Sequence, residues 1–153
     1  MDKNKNLTQN EAFALAVQNH KENNLQVAED LYKEILKTNS NLISANINLG
    51  ILFQTRGEHQ KAIPFYEKVI EIDPDNVHAH NDLGIIFQFL GQYQKALDCY
   101  EKIIEINPEH IHSHYNSGII FYILGKHQKA INCYEKATKI NPNYTEAHNS
   151  LGI

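Results

Sequence analysis

Tryptophan is absent from the 153 residues, methionine occurs once, and no cluster of lysine or arginine interrupts the chain. Formal net charge is −4, so the basic footprint of a nucleic-acid binder is missing. Long apolar runs are missing too. Nothing approaches the ~18 to 20 consecutive apolar residues needed to cross a bilayer. The opening MDKNKNLTQNEAF shows no apolar core of a secretory signal, and a cytoplasmic location is the expectation. No nucleophile motif, phosphate-cradling glycine loop or zinc-type cysteine spacing is found. Neither an enzyme nor a cofactor is expected.

What the sequence does contain is a period. Gly50, Gly84, Gly118 and Gly152 are 34 residues apart, as are Gly57, Gly91 and Gly125. Pro74, Pro108 and Pro142 keep the interval, and so do Ala28, Ala62, Ala96 and Ala130, and Tyr32, Tyr66, Tyr100 and Tyr134. A fixed period of this length marks stacked repeats, which form an elongated array without a central core. Cys99 and Cys133 are also one period apart. Neighbouring packed helices lie about 8–10 Å apart, beyond the ~7 Å that a disulfide tolerates between Cα atoms. Both cysteines are expected to be reduced and buried.

Residues 1–8 are polar and expected to fray. The stretch 9–42 is a worn repeat, with Ala16 in place of glycine, Asn23 at the turn and Ser40 in place of proline. Asn23 is still able to close a helix, since asparagine tolerates the left-handed conformation. Three clearer repeats follow at 43–76, 77–110 and 111–144. Each reads as two amphipathic helices, over 43–56 and 59–72, 77–90 and 93–106, and 111–124 and 127–140. Gly57, Gly91 and Gly125 stop the first helix of each pair, and the Asp-Pro or Asn-Pro dipeptides end the second. Glycine within a helix costs ~1 kcal/mol relative to alanine, so Gly50, Gly84 and Gly118 require a compensating contact. That contact is expected to be Ala62, Ala96 or Ala130 on the partner helix, with the tyrosines filling the joint to the next hairpin. Pro64 falls inside a helix, at a solvent-facing position where a kink is tolerable. A fifth repeat opens at 145 and stops at Ile153. It is either a cap or the start of a longer array, and the longer array is the expectation.

Leu49-Gly50, Phe53, Gly57, Ala62, Tyr66 and Pro74 resemble the tetratricopeptide repeat. Leu83-Gly84, Phe87, Gly91, Ala96, Tyr100 and Pro108 match the same pattern, as do Gly118, Phe121, Gly125, Ala130, Tyr134 and Pro142, with Ser117 replacing the leucine. Asn46, His80, His114 and His148 replace the family's usual tryptophan. The resemblance covers 9–153. It implies an all-α, right-handed superhelical α-solenoid of antiparallel hairpins, whose concave face is lined by first helices and binds segments of partner proteins.

Carried onto this chain, the resemblance points inward a row of Asn48, Asp82 and Asn116, and an isoleucine row of Val17, Ile51, Ile85, Ile119 and Ile153. It adds Ser44, His78 and His112, then Ile47, Asn81, Tyr115 and Asn149, with Gln54, Gln88, Phe89, Tyr122 and Ile123 further along. Side-chain amides offer donor and acceptor together, so the first row suits a peptide backbone. That row is similar to the asparagine ladder in the repeat arm of O-linked N-acetylglucosamine transferases, and Asp82 interrupts it. The carboxylate clamp of chaperone-binding relatives does not fit, because Phe13, Val17, Asn48, His78 and Asp82 occupy its places and only Asn48 agrees. The histidines are expected to pack, and no metal is assigned. Glu67, Glu101 and Glu135, with Lys68, Lys102 and Lys136, read as a solvated outer face.

The leading expectation is a non-catalytic interaction module whose partner is a protein or peptide segment. A substrate-recruiting arm of a larger glycosyltransferase- or sulfotransferase-type enzyme is the alternative. Self-assembly into a homo-oligomer through an apolar end at Ala147, Leu151 and Ile153 is a third.

Overall fold

A computed structural model describes residues 7–152. Residues 1–6, most of the stretch expected to fray, and Ile153, the end of the isoleucine row, lie outside the described residues. Among the described residues the regular structure is helical: α1 (Gln9–Lys21), α2 (Leu25–Thr38), α3 (Ile43–Thr55), α4 (His59–Ile72), α5 (Val77–Phe89), α6 (Tyr93–Ile106), α7 (Ile111–Ile123), α8 (His127–Ile140) and α9 (Thr145–Leu151). The chain divides into two compact units, Met1–Pro74 and Asp75–Ile153. The first holds the hairpins α1–α2 and α3–α4. The second holds α5–α6 and α7–α8, followed by α9. Each unit is thus a stack of antiparallel helix hairpins, the all-α architecture expected of the period.

Local chemistry fixes each hairpin. α3, α5 and α7 end one residue earlier than the periodicity suggests, because the last turn belongs to a cap. At Gly91, φ is +71°. Its N–H donates to the Gln88 carbonyl at 3.1 Å, and the N–H of Gln92 reaches back to the Phe87 carbonyl at 2.8 Å. These two bonds satisfy carbonyls that the helix end leaves unpaired. Asn23 does the same work for α1 at φ +62°, with Asn24 donating to the Asn19 carbonyl at 2.8 Å. The second helices stop at an extended residue before proline, such as Asn107 at φ −136°, ψ 93°. Pro64 is exposed, and α4 continues through it to Ile72. Thr8 lies in the stretch expected to fray, yet it caps α1 in a reciprocal box with Glu11.

The mid-helix glycines face something other than expected. A Cβ built on Gly84 meets Cε1 of Tyr100 at 2.6 Å, and Gly50 and Gly118 stand in the same relation to Tyr66 and Tyr134. The partner is therefore the tyrosine 16 residues on, inside the same hairpin, and not the alanine. An aromatic ring fills the space that a side chain would take, which offsets the cost of a helical glycine. The rings are buried, Tyr66 and Tyr100 at 0% exposure and Tyr134 at 5%. The alanines are buried as well.

Histidines serve the backbone. His114 Nε2 lies 2.9 Å from the Pro108 carbonyl and His148 Nε2 lies 2.7 Å from that of Pro142. Asn46 Nδ2, at the equivalent place, donates to the Ser40 carbonyl at 3.0 Å. The side chain in the tryptophan position thus straps the turn six residues before it. His110 caps α7. Its Nδ1 accepts from the Ser113 N–H at 3.2 Å, as the Asn76 side chain accepts from Ala79 at the start of α5. Glu29, buried in α2, pairs with Lys33 and with Arg56 just past α3. Cys99 is buried and Cys133 only half-buried, and both are free thiols. Ala147 is turned inward at 0% exposure, and Leu151 packs on the cluster of Ala130, Tyr134 and Ala137. These two residues are therefore part of a core and not the open apolar end expected of them.

Two predictions follow from this packing. Gly84→Ala pushes a methyl into the Tyr100 ring, and overpacking of this kind costs about 1–3 kcal/mol. The better helix propensity of alanine returns about 1 kcal/mol of it. Urea unfolding should show a net loss, whereas a gain would mean that the ring contact does not limit the site. The second prediction concerns pH. Burial, then the charges of His112 and His114, hold the His110 pKa below its ordinary 6.5. The neutral ring is the capping form, and the folded state resists a proton that the unfolded chain accepts. This contribution is complete above the unfolded pKa and fades as pH falls through that value toward the lowered one. His110→Asn, a cap that does not titrate, should reduce the stability lost between pH 7.5 and 5. His20, whose pKa is also lowered by burial, should keep part of that loss in place. An unchanged pH profile would contradict the cap.

Candidate functional site

The residues assigned to the inner face lie on first helices and share one side of each. On α5 the stripe is His78, Asn81, Asp82, Ile85, Gln88 and Phe89, spaced by three and four residues. The opposite side of α5 is buried through Ala79, Leu83, Gly84, Ile86 and Phe87. On α7 the stripe is His112, Tyr115, Asn116, Ile119 and Tyr122. Asn48 and Ile51 hold the matching positions on α3 of the first unit.

The stripes are not uniformly open. Asn81, Asp82, Gln88, Tyr115, Asn116 and Ile119 are half-buried, as is Asn48. His78 and His112 are exposed. Ile85 is 44% exposed, Phe89 70%, Tyr122 62% and Ile123 50%. Large apolar side chains therefore stand in water at the far ends of α5 and α7. Ile51 on α3 is 38% exposed.

Gln54, Asn48 and Gln88 have partners inside the protein. The Tyr100 hydroxyl donates to Gln88 Oε1 at 3.2 Å. One tyrosine on α6 is thereby tied to the stripe of α5. Burial, the largest influence, pushes its pKa far above the ordinary 10 although the Asn116 side chain opposes the shift, so the hydroxyl stays protonated. The Tyr66 hydroxyl donates to Gln54 Oε1 in the same manner. Asn48 Nδ2 turns back onto the Ser44 carbonyl of its own helix at 2.8 Å. The sequence places these amides in one row, but its period does not say that a buried hydroxyl already occupies them.

Sequence reasoning also missed Tyr144, which joins the α7 stripe from the N-terminus of α9. Its hydroxyl lies 3.2 Å from His112 Nδ1, and its ring meets Tyr115 edge-on at 5.3 Å. Tyr115 in turn contacts Tyr134 at 5.7 Å. The available signal was position, since Tyr144 falls one period after His110. His110 and His112 rings are 6.1 Å apart, although they belong to a cap and a helix. Among the described residues, no group of three His, Cys, Asp or Glu side chains converges as a metal site would require.

The first hairpin gives an internal comparison for the tyrosine bond. Tyr32 is buried at 0% exposure, and its hydroxyl has no hydrogen-bond partner. His20 stands where Gln88 accepts from Tyr100. Tyr100→Phe should therefore cost about 1 kcal/mol, the worth of a buried hydrogen bond, while Tyr32→Phe should be neutral or stabilising. Equal losses in thermal unfolding of the two variants would contradict this assignment.

Among the described residues no helix is long and apolar enough to cross a membrane. A model of the tetratricopeptide repeat matches residues 42–109 and 75–143. No curated protein matches the chain. A crystal structure of MamA protein is 25% identical and superposes with a TM-score of 0.88, covering 94% of this chain and 79% of that one. A second MamA crystal structure is 26% identical, with a TM-score of 0.84 over 90% of this chain and 80% of that one. MamA 41-end from Desulfovibrio magneticus RS-1, at 19% identity and a TM-score of 0.80 over 90% of this chain and 77% of that one, shares the fold. The chain belongs to the tetratricopeptide-repeat family, whose helical arrays are scaffolds for protein interaction.

Proposed function

We propose that the stripes of α5 and α7 bind an apolar segment of a partner protein, and that the chain acts through this binding and not through catalysis. The observation that carries the reading is the exposure of Phe89, Tyr122, Ile123 and Ile85 on helices whose opposite sides are core. Aromatic and branched side chains left in water beside a rigid scaffold are the usual anchors of an interface. Half-buried amides beside them suit the partner's peptide groups. Gln88 gives its oxygen to Tyr100, which leaves its NH2 to donate to a carbonyl. Asp82 favours a donor or a cation nearby. Asn48 and Ile51 are the corresponding candidates on α3.

The test is a selection of displayed 12-residue peptides on the whole chain, repeated with an Ile85→Lys, Tyr122→Ala variant. Both side chains are exposed, Ile85 at 44% and Tyr122 at 62%, so the fold should survive, which circular dichroism checks. Selected peptides should be rich in large apolar residues and should bind the variant at least tenfold more weakly, or about 1.4 kcal/mol. Equal binding to a folded variant would defeat the reading.

A further inference from the structure

The outer side of the first hairpin departs from its counterparts at two positions where the later repeats agree. Val27 stands where Lys61, Lys95 and Lys129 recur, and Glu34 stands where Lys68, Lys102 and Lys136 recur. The first set of lysines has a local purpose. Lys61 lies 5.9 Å from the Phe53 ring, Lys95 5.2 Å from Phe87 and Lys129 5.5 Å from Phe121. In the first hairpin the ring's place is taken by Asn19, whose amide donates to the Leu15 carbonyl at 2.9 Å. Losing the ring removes the reason for a lysine but supplies none for a valine that is 48% exposed.

Val27 lines a concavity of about 830 Å³, with Leu7, Ala12 and Ile35 as apolar wall and Asp30 and Glu34 at its edge. The α2 residues that line it recur at three- and four-residue steps from Val27 to Thr38. It is a trough roughly 16 Å long at the rise of a helix, the shape that receives another helix. Its charge has been inverted as well. In the second unit Lys102 pairs with Asp75 at 3.0 Å and approaches Glu105 at 3.9 Å. In α2 the order is reversed. Glu34 lies on the lining, and its partner Lys37, 2.7 Å away, does not line the trough. That pair is about 70% exposed on both sides (71% and 69%), so it is weak and easily exchanged. Asp30 accepts from the neutral amide of Gln26 at 3.1 Å.

We infer that this trough on the outer side of α1 and α2 docks an amphipathic helix of a partner protein, one with lysine or arginine beside its apolar stripe. Val27 and the apolar wall receive the stripe, and Asp30 and Glu34 receive the ammonium or guanidinium groups. The site is distinct from the α5 and α7 stripes and stands without them.

The probe is a synthetic 15-residue helical peptide with leucine at helix spacing flanked by lysines, against a control with glutamates in place of the lysines. It is titrated into the 15N-labelled whole chain. The lysine peptide should shift amides between 27 and 38, and the glutamate peptide should bind at least tenfold more weakly. Val27→Lys with Glu34→Lys installs the residues that later hairpins carry and should weaken the lysine peptide at least tenfold. Ile85→Lys should leave this binding unchanged while abolishing that of the apolar stripes. Should the double variant melt early, Asp30→Asn, matching Asn132, should still weaken binding about threefold. Shifts confined to other helices, equal affinity for both peptides, or indifference to the charge variants would each overturn the inference. So would shifts at 27–38 that grow with protein concentration alone while light scattering reports a doubled mass, because the occupant would then be a second molecule of this chain.

Discussion

A tyrosine ring occupying the space of an absent side chain is the contact on which each regular hairpin is built. At Gly84 even a methyl would stand 2.6 Å from the Tyr100 ring, so helix and ring fit only because that residue ends at Cα. The ring carries a hydroxyl into the interior, and a buried hydroxyl without a partner is costly. The Tyr100 hydroxyl finds Gln88 on the neighbouring helix. Packing and surface chemistry are therefore coupled. The same atom that completes the core decides which amides of the candidate face are already engaged.

The first hairpin shows what happens when that coupling is relaxed. Ala16 replaces the glycine, and His20 replaces the glutamine that accepts from the hydroxyl. The ring is still buried, but its hydroxyl is unpaired. Asn23 closes the turn at a positive φ that glycine holds in later hairpins. Hairpin geometry is retained with poorer components, and the outer side of this hairpin carries a valine and a glutamate where its successors carry lysine. A repeat that no longer obeys the consensus inside is also the one whose outside has diverged.

Much of this was legible in the sequence, because a period of 34 residues fixes helix length, turn position and the sides that face inward. Gly57, Gly91 and Gly125 are read directly as helix stops, since few other residues adopt their backbone conformation. The error over Gly84 has a physical cause. Periodicity names the positions that recur but not which pair meets across a hairpin, and that depends on how far a side chain reaches. Alanine was the near neighbour in sequence, whereas tyrosine, four residues further, has the length to fill the gap. His110 escaped notice as a cap because imidazole accepts a backbone N–H only in one tautomer, a property that composition does not reveal. The histidines in the tryptophan position were rightly expected to pack, but their bonds to the proline carbonyls depend on ring orientation. On the candidate face, residue identities were readable and their degree of exposure was not.

The account rests on the claim that the exposed ends of α5 and α7 are covered by a partner segment. A crystal structure of the chain with a peptide selected on it tests this most directly. The account predicts that Phe89 and Tyr122 lose most of their solvent exposure beneath the peptide, with a peptide carbonyl within hydrogen-bonding distance of the Gln88 amide. A peptide lying instead along the outer surfaces of α6 and α8, with Phe89 and Tyr122 still in water, would contradict it.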